Sequence, residues 1–178
     1  LVTLVGRVGW AAVPAEKRRG IGDPAPPSQA YRKSLKGVFD LHRQQAGSDT
    51  PSDEAAAFDR FVDAQVTWDR AMAEALATAR REGGEPLVVG IVGSGHLEYG
   101  HGIPHQLADL GISDAAVLMP WETMRSCDDL KPPESAIADV VFGIAAPKNA
   151  AAKWRPLLGV LIEDGEGAVE VALSDSKI

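Results

Sequence analysis

A long helical stripe constrains this chain more than any other feature of its sequence. Thr50 can cap a helix, Pro51 suits its first position and Asp53 complements the positive end of the helix dipole. From there Phe58, Phe61, Gln65, Trp68, Met72, Leu76 and Ala79 recur at steps of three and four until Gly83 and Gly84. The spacing predicts a helix over residues 52–81. Such a stripe must be covered, so the chain needs partner elements on that face. A companion stripe of Val62, Gln65, Asp69 and Ala73 puts Gln65 and Asp69 one turn apart beside the buried face. An acid there must find a donor, a metal or water. Most such acids are simply paired at the edge of a core; a functional role for Asp69 requires another element to pack against it.

Downstream, Leu87-Val88-Val89-Gly90-Ile91-Val92 is a continuous apolar run ending in Gly93-Ser94-Gly95. It reads as a parallel strand buried on both faces. Residues 104–110 suit a short helix closed by Gly111, and residues 115–119 read as a second buried strand, completing a βαβ unit. The expected fold is therefore α/β, a mainly parallel sheet flanked by helices, with the long helix on one face. Upstream, Leu1, Leu4, Val5, Val8 and Ala12 have helical spacing, and Pro14-Ala15-Glu16 opens a short basic turn. Pro24, Pro26 and Pro27 force an irregular connection before a helix from Gln29 to about His42. Residues 126–135 read as an exposed loop, Val140 to Ile144 as an apolar stretch, and Asp164-Gly165-Glu166-Gly167 as the turn of a C-terminal β-hairpin.

With 178 residues, 45% of them hydrophobic, the chain can bury the core of one ordinary domain with or without an appendage. A formal net charge of -7 leaves no basic field for nucleic acid or an anionic membrane surface. Cys127 is the single cysteine, so neither an intrachain disulfide nor a cysteine metal cluster can form, and the adjacent Asp128 and Asp129 oppose an activated thiolate. No window reaches the length of a membrane span, and the first ten residues lack the pattern of a signal peptide. The abrupt start at Leu1-Val2-Thr3-Leu4-Val5 reads as the interior of an amphipathic segment, with further sequence expected before it.

His96, His101 and His105 cluster around Tyr99, in a loop following the C-terminal end of a predicted parallel strand, where open α/β sheets place ligands. Imidazole and phenolate both bind iron, and the glycines let backbone approach a ligand closely. The bland alternative has Gly93 and Gly95 merely turning the chain, His101 and His105 solvated, and Tyr99 packed on a neighbour; spacing alone does not choose. The zinc pattern H-E-x-x-H is absent. Glu98 breaks the G-x-G-x-x-G spacing, and no Gly-Lys-Ser/Thr follows. Phe61, Trp68 and Trp121 could line a flat apolar pocket, although tryptophans at helical spacing are more often core.

Three segments in order, Ala64-Gln65-Val66-Thr67-Trp68-Asp69-Arg70-Ala71-Met72-Ala73, the apolar run, and Gly93-Ser94-Gly95-His96 through Gly102-Ile103-Pro104, resemble the ChaN-like family of the Tiki superfamily. Ala25-Pro26-Pro27-Ser28-Gln29-Ala30-Tyr31 and residues 1–10 are similar to segments preceding this helix in such proteins. The resemblance covers roughly residues 1–145. It implies haem binding in iron uptake, on proteins commonly exported to the periplasm and attached to a membrane. The family's first motif, of G-E-x-H type, is not found here. Residues 1–145 therefore read as the C-terminal portion of the domain, lacking its N-terminal half, with the rest of the pocket missing or supplied by another chain, as in a homodimer. Trp154-Arg155-Pro156-Leu157-Leu158-Gly159-Val160 resembles the opening of a PDZ domain, which makes residues 146–153 a linker and residues 154–178 a hairpin that could take a peptide partner by strand addition.

What the resemblance implies for function is a non-enzymatic protein holding haem near the loop 93–99 and the helix residues 61–72. Its site residues are Tyr99, His96, His101, Asp69, Gln65 and Trp68, with Tyr99 and His96 as iron donors and Tyr99 favoured, because a phenolate suits ferric iron. Asp69 and His96 are expected to meet across the helix and the loop. The alternative is a metal-dependent hydrolase of the Tiki/TraB type using Asp69, His96 and Glu98. A third reading is a scaffold whose tail binds chain ends.

Overall fold

A computed structural model of the chain describes residues 1–46, 53–82, 87–130 and 136–145. The chain divides into two units, Leu1–Ile144 and Ala145–Ile178. The hairpin and PDZ-like segment assigned to residues 154–178 lie outside the described residues, as does the start of the long helix at Ser52.

The first unit is built around the predicted long helix. Four helices are described, α1 (Val2–Val8), α2 (Gln29–Ala46), α3 (Glu54–Glu82) and α4 (Ile103–Asp109), with two strands, β1 (Leu118–Glu122) and β2 (Val140–Ile144). Asp53 caps α3, its carboxylate accepting from the Ala56 amide at 3.0 Å. Helices α1, α2 and α4 all pack on α3. The residues that α3 buries are Val62, Val66, Thr67, Asp69, Arg70, Ala73 and Ala77, which include Val62, Asp69 and Ala73 of the companion stripe but leave its Gln65 partly exposed. Two apolar clusters line this face. Val62 and Val66 meet Tyr31 and Leu35 of α2 with Phe58 and Phe61 at the margin, while Ala73 meets Ile103 and Leu107 of α4. Burying a side chain such as Ile103 contributes about 1.5–3 kcal/mol, which offsets the ordering of these short connections.

The proline-rich connection is irregular, as expected, and side chains fix its path. Gln106 accepts from the Ala25 amide at 2.9 Å and donates to the Ala25 carbonyl at 3.0 Å. His105 Nε2 lies 2.9 Å from the Pro26 carbonyl and must donate to it, and Glu74 accepts from the Gly22 amide at 3.0 Å. Ser28 then caps α2, its hydroxyl accepting from the Tyr31 amide at 3.1 Å. Placing the start of α2 in this way sets Tyr31 against α3.

The sheet is smaller than the sequence predicts. Strands β1 and β2 pair in parallel, from Leu118 opposite Val140 to Glu122 opposite Ile144. The fold thus mixes helices with a two-stranded parallel sheet, consistent with the α/β class. The expected strand over residues 87–92 is corrected: this segment belongs to neither described strand. It lies along α3, where the space beside Gly90 is closed by the Leu76 side chain and Val92 joins the cluster of Ala73 and Ile103. The alternate residues Leu87, Val89 and Ile91 are 92%, 74% and 85% exposed. An unbroken apolar run predicts burial on both faces, but burial also needs a neighbouring strand, and among the described residues none pairs with it. The second predicted strand is displaced, from residues 115–119 to Leu118–Glu122, where Met119 and Trp121 alternate inward. Helix α3 packs on the other helices rather than on the sheet, whose cluster of Met119, Trp121 and Ile137 instead receives Leu97 and Tyr99 from the loop. Among the described residues no helix is long and apolar enough to cross a membrane.

Candidate functional site

The loop between Val92 and α4 folds as two short 3₁₀ turns, Ser94–His96 and Glu98–Gly100. It is held from two sides. Towards the helices, His96 Nδ1 lies 2.5 Å from Asp69 Oδ1, and Asp69 is completely buried. Towards the sheet, the Tyr99 amide donates to the Ile137 carbonyl at 2.9 Å, and the Tyr99 side chain packs on the Met119–Trp121–Ile137 cluster. Asp69 and His96 meet across the helix and the loop, as the sequence leads one to expect.

Gly102 makes this approach feasible. A Cβ there would collide with the His96 carbonyl oxygen and stand 3.0 Å from Asp69 Oδ1, so only glycine lets the start of α4 close over the pair.

Asp69 has a second partner that the sequence reading did not single out. The Tyr31 hydroxyl donates to Asp69 Oδ2 at 2.8 Å within the core. Burial, then the charge of Asp69 and its hydrogen bond, push the Tyr31 phenol well above its ordinary value, with a hydrogen bond to Gln65 pulling the other way. Gln65 itself lies 3.4 Å from His96 Nδ1, too long and too crowded for a strong bond when Asp69 is closer. Tyr31 sits 38 residues before Asp69 on a different helix. In the sequence Tyr31 figures only as the last residue of the family-like segment from Ala25, just after the Pro-Pro-Ser start of α2.

The remaining predicted residues gather around this core. Trp68 stands edge-on to His96 with ring centres 5.1 Å apart and is 49% exposed, so it is a surface aromatic rather than core. His101 lies between two tyrosines, 5.7 Å from Tyr31 and 5.7 Å from Tyr99 by ring centres. Burial and the neighbouring His105 charge lower its pKa, favouring neutral imidazole, the form that ligates metals. His105 is turned away to the Pro26 carbonyl. Phe61 packs with the Tyr31–Leu35 cluster, and Trp121 is buried under the sheet with the Arg125 guanidinium 3.6 Å over its ring, so these two line no common pocket with Trp68.

Tyr99 is the conformational exception in the loop. It adopts φ 57 and ψ 15, left-handed values that cost a non-glycine residue about 1–2 kcal/mol. Among the described residues nothing hydrogen-bonds its hydroxyl, whereas that of Tyr31 is committed to Asp69. The chain holds only these two tyrosines, so Tyr99 carries the available phenol. His96 Nε2 likewise has no hydrogen-bond partner among the described residues.

A family model described as haem-binding uptake, Tiki superfamily, ChaN matches residues 1–107. The chain belongs to this family. The matched stretch contains Tyr31, Gln65, Trp68, Asp69, His96, Tyr99, His101 and Gly102, so the whole constellation lies within the ChaN portion. No curated protein and no solved structure matches the chain. The donor set fits the ligand named in the family's description: a phenol, a carboxylate-anchored imidazole and a neutral imidazole all suit ferric haem iron.

Proposed function

We propose that this chain is a non-enzymatic haem-binding protein of iron uptake, holding haem at the surface made by the loop 93–99 and residues 61–72 of α3. Tyr99 is the iron ligand, with His96 as the second donor and His101 beside them. The observation that carries this reading is the contrast between the two tyrosines. Tyr31 is buried and bonded to Asp69, while Tyr99 is held in a strained turn with no hydrogen bond to its hydroxyl among the described residues. A phenolate is a hard anionic donor matched to ferric iron, the form met outside the cytoplasm. Trp68, half-exposed beside His96, offers an aromatic face to the porphyrin. An exported, membrane-attached setting accompanies the uptake role.

The number of donors also favours haem over a hydrolytic metal ion. Catalytic zinc takes three protein ligands, whereas haem brings four nitrogens and needs only one or two more. Among the described residues no group of three or more histidine, cysteine, aspartate or glutamate side chains is arranged to hold a metal ion.

The test is a haemin titration of the wild type and of Tyr99→Phe, His96→Ala and His101→Ala, followed in the Soret and tyrosinate charge-transfer bands. The charge-transfer band should disappear only in Tyr99→Phe. A wild type that leaves the haemin spectrum unchanged, or a band retained in Tyr99→Phe, would overturn the assignment.

A further inference from the structure

The hydrogen bonds around Asp69 form a directed chain whose far end is Tyr31. A carboxylate only accepts. At Asp69 Oδ2 the donor is the Tyr31 hydroxyl, 2.8 Å away, and at Oδ1 it is His96 Nδ1, 2.5 Å away. The proton of neutral His96 must then sit on Nδ1, and Nε2 is left with a lone pair. Among the described residues Gln65 is the one competitor near this arrangement. Its amide nitrogen is 3.4 Å from His96 Nδ1 and would, if it donated there, force the proton to Nε2 instead. At that length it cannot displace the Asp69 oxygen, which lies 2.5 Å from the same nitrogen.

We propose that Tyr31 is a positioning residue: by holding the Asp69 carboxylate in its orientation, it fixes His96 in the tautomer protonated on Nδ1 and so presents Nε2 to the site as a lone-pair donor. Ligating histidines commonly donate their other ring N–H to a carboxylate, which fixes the ring's orientation and raises its basicity. Here the carboxylate is itself oriented by a phenol on another helix. Because the Ser28 cap and the Gln106 clamp on Ala25 place the start of α2, the proline-rich connection bears on the donor state of a residue in the loop 93–99. The tautomer does not depend on haem; only the identity of what Nε2 meets rests on the haem reading.

The experiment is a long-range proton–nitrogen NMR correlation on the full chain labelled with ¹⁵N-histidine, without haem, at a pH well above the ordinary histidine value of about 6.5. His96→Ala assigns the signal. The wild type should show His96 protonated on Nδ1 with a bare Nε2. In Tyr31→Phe, Asp69 Oδ2 loses its donor and the carboxylate is free to turn away from Nδ1, so His96 should shift towards the form protonated on Nε2. His105, which donates from Nε2 to the Pro26 carbonyl, is the internal control and should keep its tautomer in both proteins. Gln65→Leu, which leaves the bond between Tyr31 and Asp69 in place, should keep the proton on Nδ1. A wild-type His96 protonated on Nε2 would overturn the proposal. So would an unchanged His96 in folded Tyr31→Phe, or, should that variant not fold, a switch to Nε2 in Gln65→Leu. A wild type protonated on Nδ1 that binds no haemin would retire the haem reading and leave the relay standing; haem binding with the proton on Nε2 would do the reverse.

Discussion

Two glycines in adjoining turns should respond to the same substitution with opposite signs. At Gly102 an alanine Cβ would lie closer to the His96 carbonyl oxygen than real Cβ atoms come to any neighbour, and 3.0 Å from both the His96 carbonyl carbon and Asp69 Oδ1. Two of those neighbours are backbone and the third is a carboxylate held by Tyr31 and His96, so nothing there can swing aside. Overpacking of this kind costs about 1–3 kcal/mol, and the only relief is to draw the loop away from α3 and weaken the bond between His96 and Asp69. At Gly95 the added Cβ meets nothing within 4 Å, and its φ lies outside the left-handed range. Alanine there should stabilise by about 0.4–1 kcal/mol by restricting the unfolded chain. With a urea dependence of roughly 1–3 kcal/mol per molar, the Gly102→Ala midpoint should fall by about 1 M and the Gly95→Ala midpoint should rise by a few tenths. Urea unfolding of the two variants beside wild type reads this directly. Equal midpoints, or a Gly95→Ala loss as large as that of Gly102→Ala, would refute the close packing of loop on helix.

Other perturbations separate the core from the site. The native Tyr31 phenol titrates above its unfolded value of 10.0, so its contribution to stability should be full below that pH and decline as pH rises beyond it; urea midpoints across this range should lose that decline in Tyr31→Phe. Gln106→Leu leaves the buried Ala25 amide and carbonyl without their partners and should cost about 2–4 kcal/mol, read as a lowered thermal midpoint. Trp68→Ala should move the unfolding free energy by no more than roughly 1 kcal/mol, because the ring is half-exposed, yet weaken haemin binding in a Soret titration. Unchanged haemin affinity would remove Trp68 from the site.

Local pattern made most of the helical frame legible. The stripe between Phe58 and Leu76 announces α3, and the start of α2 at Gln29 follows from the prolines before it. What the stripe does not reveal is which of two adjacent faces is buried. The larger side chains predict Trp68 inside, but the smaller buried residues Val62, Val66 and Ala73 allow closer approach of α1, α2 and α4, and Trp68 is left at the surface. The run 87–92 reads as a buried strand yet belongs to neither described strand, because pairing depends on elements that a local window does not contain. The encounter of Asp69 with His96 could be anticipated from the motif order. Tyr31 could not, since its approach to Asp69 depends on the path of the proline-rich connection and on the clamps from Gln106, Glu74 and His105.

Resonance Raman spectroscopy of the wild-type chain with haemin, excited in the tyrosinate-to-iron charge-transfer band, tests the assignment of Tyr99 most directly. If Tyr99 holds the iron, tyrosinate ring modes should be enhanced in the wild type and absent in Tyr99→Phe, while Tyr31→Phe retains them. A wild-type spectrum without tyrosinate modes, or one whose modes survive in Tyr99→Phe, would contradict it.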